Sequence, residues 1–227
     1  MAIKIKSTKD VTTNGIKCVL YGASGTGKTI MGATAPNPFF ISAEKGMLSL
    51  QSQDIPYVEV KSLQSIGEAY NYVLKSDYET IVIDSLSEIT ETVLNEHKKV
   101  LISESSGGKI DARQAYGKVA ESMGNLIRNF RDIDGKNVVF IAKERRIDDE
   151  ETGTYTFEPY LPGRVLPFSL PYLVDEVLCL IMNRKGERMV QTKADRKRPC
   201  KDRSGKLDEF EPVNFTDIFN KITGKTK

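Results

Sequence analysis

The chain has 227 residues, of which 39% are hydrophobic and 28% charged, and its 33 basic and 31 acidic residues leave a net charge of +2. These values are typical of a folded domain with a sizeable core, and they argue against collagen-like, low-complexity and largely disordered chains. Because the charge is nearly balanced, a nucleic-acid surface would have to come from local clusters of cations. No apolar run approaches the roughly 18 residues that a membrane-spanning helix needs, so no membrane partner is expected.

Histidine and cysteine, the usual ligands of zinc and iron–sulfur centres, are scarce. The single histidine, His97, lies in a charged helical stretch, and the three cysteines (Cys18, Cys179 and Cys200) are too far apart for metal-ligand spacing. The composition therefore argues against zinc, iron–sulfur and Cys–His nucleophile chemistry.

The predicted elements alternate between strands and helices from the amino end of the chain. A β-rich run at 16–21 leads through a glycine-rich turn into a helix at 28–34. A strand at 39–42 follows a break at two prolines. A helix at 62–74 then precedes a short apolar strand at 80–83.

The second half of the chain continues this alternation and then becomes rich in strands. Helices are predicted at 85–101 and 112–130, and a strand at 138–142 follows a charged turn. Two further strands, at 176–182 and 187–193, read as a hairpin. Because the first four strands are almost continuous apolar runs, we expect a mostly parallel sheet with helices on both faces. The order predicts a doubly wound α/β domain with antiparallel additions at its C-terminal side.

A phosphate-binding motif lies between the first strand and the first helix. Residues 22–29 read GASGTGKT and match G-x-x-x-x-G-K-[ST] in the strand–turn–helix context that the motif requires. Glycines let successive backbone N–H groups point at phosphate oxygens, and the helix N-terminus adds partial positive charge. Lys28 supplies a charge for the β- and γ-phosphates, and the Thr29 hydroxyl can bind Mg²⁺. The predicted nucleotide-binding residues are Gly22, Ala23, Ser24, Gly25, Thr26, Gly27, Lys28 and Thr29.

An acidic residue, Asp84, ends the third predicted strand. A carboxylate at the carboxyl end of a parallel strand lies on the edge of the sheet where ligands bind. We interpret Asp84 as a second magnesium-binding residue beside Thr29. Its carboxylate would contact the ion through a water molecule. The alternative is that Asp84 only caps the helix that follows.

A hydrolase also needs a carboxylate that orients the attacking water, and two glutamates are candidates. Glu44 follows the second strand and would lie on the same sheet edge as the nucleotide. Glu88 lies one turn into the helix after Asp84 and would point along that helix. We favour Glu44 as the catalytic acid, with capping of the next turn as its alternative role.

This succession of motifs resembles the RecA-type ATPase core, in which the catalytic glutamate follows the second strand. Over roughly residues 15–205, the chain resembles small phage-encoded ATPases of the RecA-like single-strand annealing and recombination group. The segments that carry the resemblance are GASGTGKT (22–29), FISAEKG (40–46), TIVIDS (80–85), VVFIAKE (138–144), LPGRVLPFSLPYLVDEV (161–177) and TKADRKRPCKDR (192–203).

The resemblance implies a RecA-like P-loop NTPase domain at 15–205, between extensions at 1–14 and 206–227. It implies ATP and Mg²⁺ as ligands, and hydrolysis of ATP coupled to single-stranded DNA in phage recombination or replication. It also implies a homo-oligomeric ring or filament, a phage single-strand-binding protein as a partner, and the cytoplasm of a bacterial host as the location.

Two clusters of basic residues are relevant to that interpretation. One lies within 193–203, where RecA-like proteins present cations across a subunit interface, and we nominate Lys193 and Arg196 as trans-acting cations. The other begins at Lys143, at the strand end where RecA proteins carry a γ-phosphate sensor, so that Lys143 or Glu144 would take that part. Loops at 103–109 and 147–154 are candidates for facing DNA, although the second is acidic.

Two other classes of function fit the same phosphate loop. A small nucleoside or nucleotide kinase would need an arginine-rich lid, for which the acidic turn at 148–151 is poorly suited. A nucleotide-switched binding module, such as a helicase loader, would bind ATP and hydrolyse it negligibly. ATP turnover without an added acceptor, with and without single-stranded DNA, distinguishes the three.

Overall fold

A computed structural model describes residues 15–44, 46–105 and 111–225 of the chain. The strands are β1 (Lys17–Gly22), β2 (Pro38–Ser42), β3 (Tyr57–Glu59), β4 (Thr80–Asp84), β5 (Asn137–Asp149), β6 (Thr154–Tyr160), β7 (Glu176–Met182), β8 (Arg188–Gln191), β9 (Lys201–Asp202) and β10 (Phe210–Glu211). The helices are α1 (Lys28–Gly32), α2 (Leu63–Leu74), α3 (Leu86–Glu104), α4 (Ala112–Arg131), α5 (Val165–Leu173) and α6 (Phe215–Thr223), with a 3-10 helix at Gly46–Leu50. Within the described ranges, no helix is both long and apolar enough to cross a membrane.

The strands form one mixed sheet in the order β10-β8-β7-β1-β5-β4-β2-β3, with β6 paired to β5 and β9 paired to β7. Strands β7, β1, β5, β4, β2 and β3 run parallel to one another. The antiparallel pairs involve β6, β8, β9 and β10. The predicted architecture, a mostly parallel sheet with antiparallel additions from the later part of the chain, is confirmed.

Helices cover both faces of the sheet, as the apolar strands predicted. Alternate residues of β1 point to opposite faces, so that Val19 packs into one core and Leu20 into the other. The first core is closed by α2, α3, α4 and α5, and the second by α1 and α6. Both faces of β1 are therefore buried. The phosphate-binding motif starts from a strand that is packed on both faces and paired with a neighbouring strand on each edge.

The strand predicted at 138–142 is longer in the structure, and the prediction of its end was wrong. β5 continues to Asp149 and pairs antiparallel with β6, from Lys143 opposite Tyr160 to Asp149 opposite Thr154. The segment predicted as a loop at 147–154 is thus the end of a hairpin. The apolar pattern stops at Ala142 because β5 leaves the core there and its later residues are partly or fully exposed.

The segment at 206–227, predicted as an extension, adds to the same sheet and core in its described part, 206–225. β10 pairs with β8, and Phe215 and Ile218 of α6 are fully buried. The start of α6 is also tied to the region after α1, because the backbone N–H of Phe215 donates to Oγ1 of Thr34 at 2.8 Å. Strands β3 and β6 and helix α5 were likewise not predicted.

Candidate functional site

A pocket of about 550 Å³ opens at the carboxyl ends of β1 and β4 and beside the point where β5 leaves the core, and residues of all three strands line it. β4 and β5 are adjacent and parallel, and β5 is adjacent and parallel to β1. These three points therefore meet on one edge of the parallel sheet, where open α/β sheets bind ligands. Most of the predicted site residues line this pocket: Gly22, Ser24, Gly25, Gly27, Lys28, Thr29, Glu44 and Asp84.

The loop between β1 and α1 has the curled backbone that its glycines predict. Gly27 precedes α1 with a φ of 97°, a left-handed conformation that favours glycine. At Gly22 the reason is close approach, because a Cβ there would lie 2.5 Å from the carbonyl oxygen of Leu180 on β7. Inside the loop, the Thr26 hydroxyl donates to the carbonyl of Ala23 at 2.9 Å. The sequence thus specifies a loop whose shape depends on glycine at two positions for different reasons.

The ammonium group of Lys28 folds back over this loop. Its Nζ donates to the carbonyl oxygens of Gly22 at 2.9 Å and Ala23 at 2.8 Å. Burial lowers the pKa of Lys28, while the nearby carboxylates of Asp84, Glu44 and Glu144 act in the opposite direction. The lysine therefore closes the loop and is available to turn toward phosphate oxygens.

Thr29 and Asp84 meet beneath the loop. The Thr29 hydroxyl donates to Oδ2 of Asp84 at 2.7 Å. The Asp84 side chain is buried, and burial raises its pKa to about 6, against the opposing effects of the Thr29 hydrogen bond and the Lys28 charge. A cation bound beside Asp84 would favour its charged form and lower its pKa again.

This pair of oxygen donors fits Mg²⁺ bound together with a nucleotide. Mg²⁺ prefers oxygen ligands and usually keeps several waters while sharing the rest with substrate phosphates. Among the described residues, no group of three or more His, Cys, Asp or Glu side chains is arranged to hold a metal ion. A magnesium ion at Thr29 and Asp84 would thus need phosphate oxygens to complete its ligand set.

Of the two candidate catalytic glutamates, the structure brings Glu44 into the pocket. Oε1 of Glu44 accepts a 2.5 Å hydrogen bond from the hydroxyl of Ser85, and its carbonyl accepts one from Ser42 at 2.7 Å. Glu88 is not among the pocket-lining residues and forms an ion pair with Lys143 at 2.7 Å. The geometry thus favours Glu44 for activation of water, and Ser85 is a neighbour that the sequence analysis did not identify.

Both residues considered for the γ-phosphate sensor, Lys143 and Glu144, line the pocket. The Glu144 side chain is nearly buried, with Oε2 3.6 Å from Sγ of Cys179 and 3.8 Å from Nε of Arg198. Arg198 in turn lies over the ring of Phe157 on β6, 4.7 Å from its centroid. Glu144 therefore connects the pocket with the β5–β6 hairpin.

The two nominated trans-acting cations do not line the pocket of their own chain. Nζ of Lys193 is 2.7 Å from Oδ2 of Asp202, and 43% of the Lys193 side chain is exposed. Arg196 is exposed in the turn that follows. The proposed loop at 103–109 lies largely outside the described residues, because positions 106–110 are not described.

One pocket residue, Arg188, was not predicted. It begins β8 and lines the same pocket as the phosphate loop. No local sequence motif identifies Arg188 as a pocket residue, because its position depends on the β7–β8 hairpin folding back beside β1.

Comparison with known proteins identifies a family. A protein-family profile described as an AAA domain (AAA_24) matches residues 14–204. No curated protein sequence gives a significant match.

Several solved structures are similar to the chain at low sequence identity. The KaiC-like protein PH0186 from the hyperthermophilic archaeon Pyrococcus horikoshii OT3 is 15% identical, with a TM-score of 0.44 over 83% of this chain and 82% of that one. The RadB recombinase is 15% identical, with a TM-score of 0.45 over 82% of this chain and 84% of that one. An ATPase from the type III secretion system of pathogenic bacteria is 10% identical, with a TM-score of 0.44 over 75% of this chain and 53% of that one.

Proposed function

Because the chain belongs to the AAA domain family whose profile spans residues 14–204, we propose that it binds Mg·ATP and hydrolyses it as a RecA-like P-loop ATPase. One observation carries the proposal. The phosphate loop, the Thr29–Asp84 pair and the Ser85–Glu44 pair all face one pocket at the carboxyl edge of the sheet.

Binding of the triphosphate begins with the backbone of the loop. Its N–H groups and the N-terminus of α1 surround phosphate oxygens, and Lys28 exchanges its two carbonyl partners for the β- and γ-phosphates. Thr29 and Asp84 would hold the magnesium ion, which when bound neutralises charge on the phosphates. The nucleotide is thereby fixed with its γ-phosphate toward Glu44.

Hydrolysis then needs a water aligned with the γ-phosphorus. The Glu44 carboxylate accepts a hydrogen bond from that water, which makes its oxygen a better nucleophile. The hydrogen bond from Ser85 fixes one carboxylate oxygen and leaves the other to accept from the water. Attack forms the bond between the water oxygen and phosphorus and breaks the bond from phosphorus to the β-phosphate oxygen, leaving ADP and inorganic phosphate, while the proton of the water passes through Glu44 to solvent.

Single-stranded DNA is the second ligand that we propose, and the β5–β6 hairpin supports it. Arg146 and Lys197 lie over the ring of Tyr155, with charged groups 4.2 Å and 4.5 Å from its centroid. Phe157 is the neighbouring aromatic on the same strand, 5.4 Å from Tyr155 between ring centroids. Cations that follow a phosphate backbone, together with aromatic rings on which bases stack, are what sequence-independent binding of single strands uses.

One side chain would connect the two proposed binding sites. Arg198 contacts both Phe157 of the hairpin and Glu144 of the nucleotide pocket. Binding of the triphosphate would change the charge around Glu144. Through Arg198, this change would alter the contacts of the hairpin.

We further propose that the chain assembles into a ring or filament in which Lys193 or Arg196 of one subunit reaches the γ-phosphate of the next. Support comes from their exposure and from their position outside their own pocket. Such a trans-acting cation would make hydrolysis depend on assembly. A role in phage recombination or replication in the cytoplasm of a bacterial host, with a single-strand-binding protein as partner, is the biological setting that this activity would suit.

The experiment that tests the proposal measures ATP turnover by the full chain with no phosphate acceptor added, with and without single-stranded DNA. We expect turnover that rises when DNA is present. Turnover only with an added nucleoside would instead indicate a kinase, and tight ATP binding with negligible turnover would indicate a nucleotide-switched binding module.

A further inference from the structure

We propose that Arg188 binds the phosphates of the nucleotide in cis, as a second cationic contact besides Lys28. The inference rests on the proposed nucleotide site and adds to it a residue from a different part of the fold.

Arg188 packs against the phosphate loop at the point where α1 begins. Its guanidinium atoms Nη1, Cζ and Nε lie 3.4, 3.6 and 3.8 Å from the position that a Cβ on Gly27 would occupy. Gly27, the residue before Lys28, has no side chain, and the guanidinium lies in the space beside it. It is also part of the pocket lining together with Lys28 and Thr29.

The fold, and not a flexible loop, brings Arg188 to this point. β7 lies parallel to β1, with Cys179 opposite Tyr21, and β8 returns antiparallel along β7, with Arg188 opposite Met182. The carbonyl of Leu180 on β7 is in close contact with Gly22 at the start of the phosphate loop. The hairpin is thus anchored to the loop by its backbone, and Arg188 extends from the anchored part.

The charge of Arg188 is not used within the described part of the chain. Across residues 15–44, 46–105 and 111–225, its guanidinium forms no ion pair with an acidic side chain, and the residue is exposed. Two other arginines of the second half of the chain are paired, Arg145 with Glu158 and Arg203 with Asp175. An unpaired guanidinium beside a phosphate-binding loop matches the geometry of phosphate oxygens, which it can bind through two parallel N–H donors.

Binding titrations distinguish a contact of Arg188 with the phosphates from a contact with the rest of the nucleotide, and from a general effect of removing an arginine from the hairpin. Dissociation constants of the full chain are measured for Mg·ATP, for magnesium and inorganic triphosphate, and for AMP, with wild type, Arg188→Ala, Arg188→Lys and Arg184→Ala. Arg184 is the matched control, since it is an exposed arginine in the turn of the same hairpin and does not line the pocket.

We expect Arg188→Ala to weaken both Mg·ATP and inorganic triphosphate about tenfold, as loss of a charged hydrogen bond predicts. AMP affinity and the melting temperature should be unchanged, Arg184→Ala should match wild type, and Arg188→Lys should recover part of the loss. Unchanged triphosphate affinity in Arg188→Ala overturns the inference, as does a loss that is equal for AMP or equal in Arg184→Ala. Failure of the wild type to bind Mg·ATP would overturn the proposed function as well, so the two failures are distinguishable.

Discussion

The hydroxyl of Ser85 donates a 2.5 Å hydrogen bond to Oε1 of Glu44, joining the residue after β4 to the second residue after β2. Ser85 is itself fixed as the N-cap of α3, where its Oγ accepts a hydrogen bond from the backbone N–H of Glu88 at 3.3 Å. The candidate catalytic carboxylate is therefore oriented by the residue next to the candidate magnesium carboxylate Asp84.

This relationship predicts a positioning role for Ser85. We expect Ser85→Ala to lower kcat for ATP about tenfold, because Glu44 loses its fixed orientation, and to leave KM close to that of wild type. Ser85→Thr keeps the hydroxyl and should retain most of the activity. Steady-state kinetics of the three proteins checks this, and equal kcat for Ser85→Ala and wild type would contradict it.

Substitution of Glu44 and of Glu88 by the isosteric glutamine gives a matched pair of variants. We expect Glu44→Gln to lower kcat by about 10²- to 10⁴-fold while the dissociation constant for Mg·ATP stays within about twofold of wild type, because the glutamate acts on water and not on the nucleotide. Glu88→Gln should lose little, since Glu88 does not line the pocket and only its partner Lys143 does. The reverse pattern would assign the activation of water to Glu88.

Much of the site was predictable because its residues belong to short motifs attached to buried strands. The G-x-x-x-x-G-K-[ST] pattern specifies backbone shape, and the apolar run before Asp84 indicates a strand end, so both could be located from local sequence. Arg188 and Ser85 were missed because their positions in the pocket depend on which strands are neighbours, and this is decided by the packing of the whole sheet. The end of β5 was placed too early for a related reason: once a strand leaves the core, pairing with β6 maintains it and its apolar pattern disappears.

Glu176, at the start of β7, predicts a pH dependence of stability. Burial raises its pKa to about 7, and the charge of Asp202 adds to the effect. Between the ordinary pKa of 4.5 and pH 7, folded chains keep a proton that unfolded chains have released, so the free energy of unfolding falls as the pH rises. Above pH 7 both states are ionised and this loss is complete.

We therefore expect Glu176→Gln to be more stable than wild type at pH 8, by on the order of 1–3 kcal/mol, and the difference to shrink toward pH 5. Urea unfolding between pH 5 and pH 8.5 measures it. The exposed Glu209 provides a control, Glu209→Gln, which should follow the wild-type curve. A constant difference between Glu176→Gln and wild type across this range would rule out titration of Glu176 as the cause.

The proposed DNA-binding role of the β5–β6 hairpin predicts the effect of removing its aromatic ring. We expect Tyr155→Ala to weaken binding of a labelled oligonucleotide by about 5- to 100-fold, the range for loss of one stacked base. Tyr57 is a half-exposed tyrosine on the edge strand β3, at the far end of the sheet, and Tyr57→Ala serves as the control. Fluorescence anisotropy across a salt series checks both, and equal affinities for Tyr155→Ala and Tyr57→Ala would contradict the assignment of the hairpin.

Calorimetric titration of Mg·ATP into the full chain and into Lys28→Ala tests the nucleotide site itself. We expect the wild type to take up one nucleotide per chain with a saturable binding curve. We expect Lys28→Ala to bind at least about tenfold more weakly, because it lacks the charge that closes the phosphate loop. Absence of binding heat in the wild type, or equal affinity of the two proteins, would contradict a phosphate site between β1 and α1.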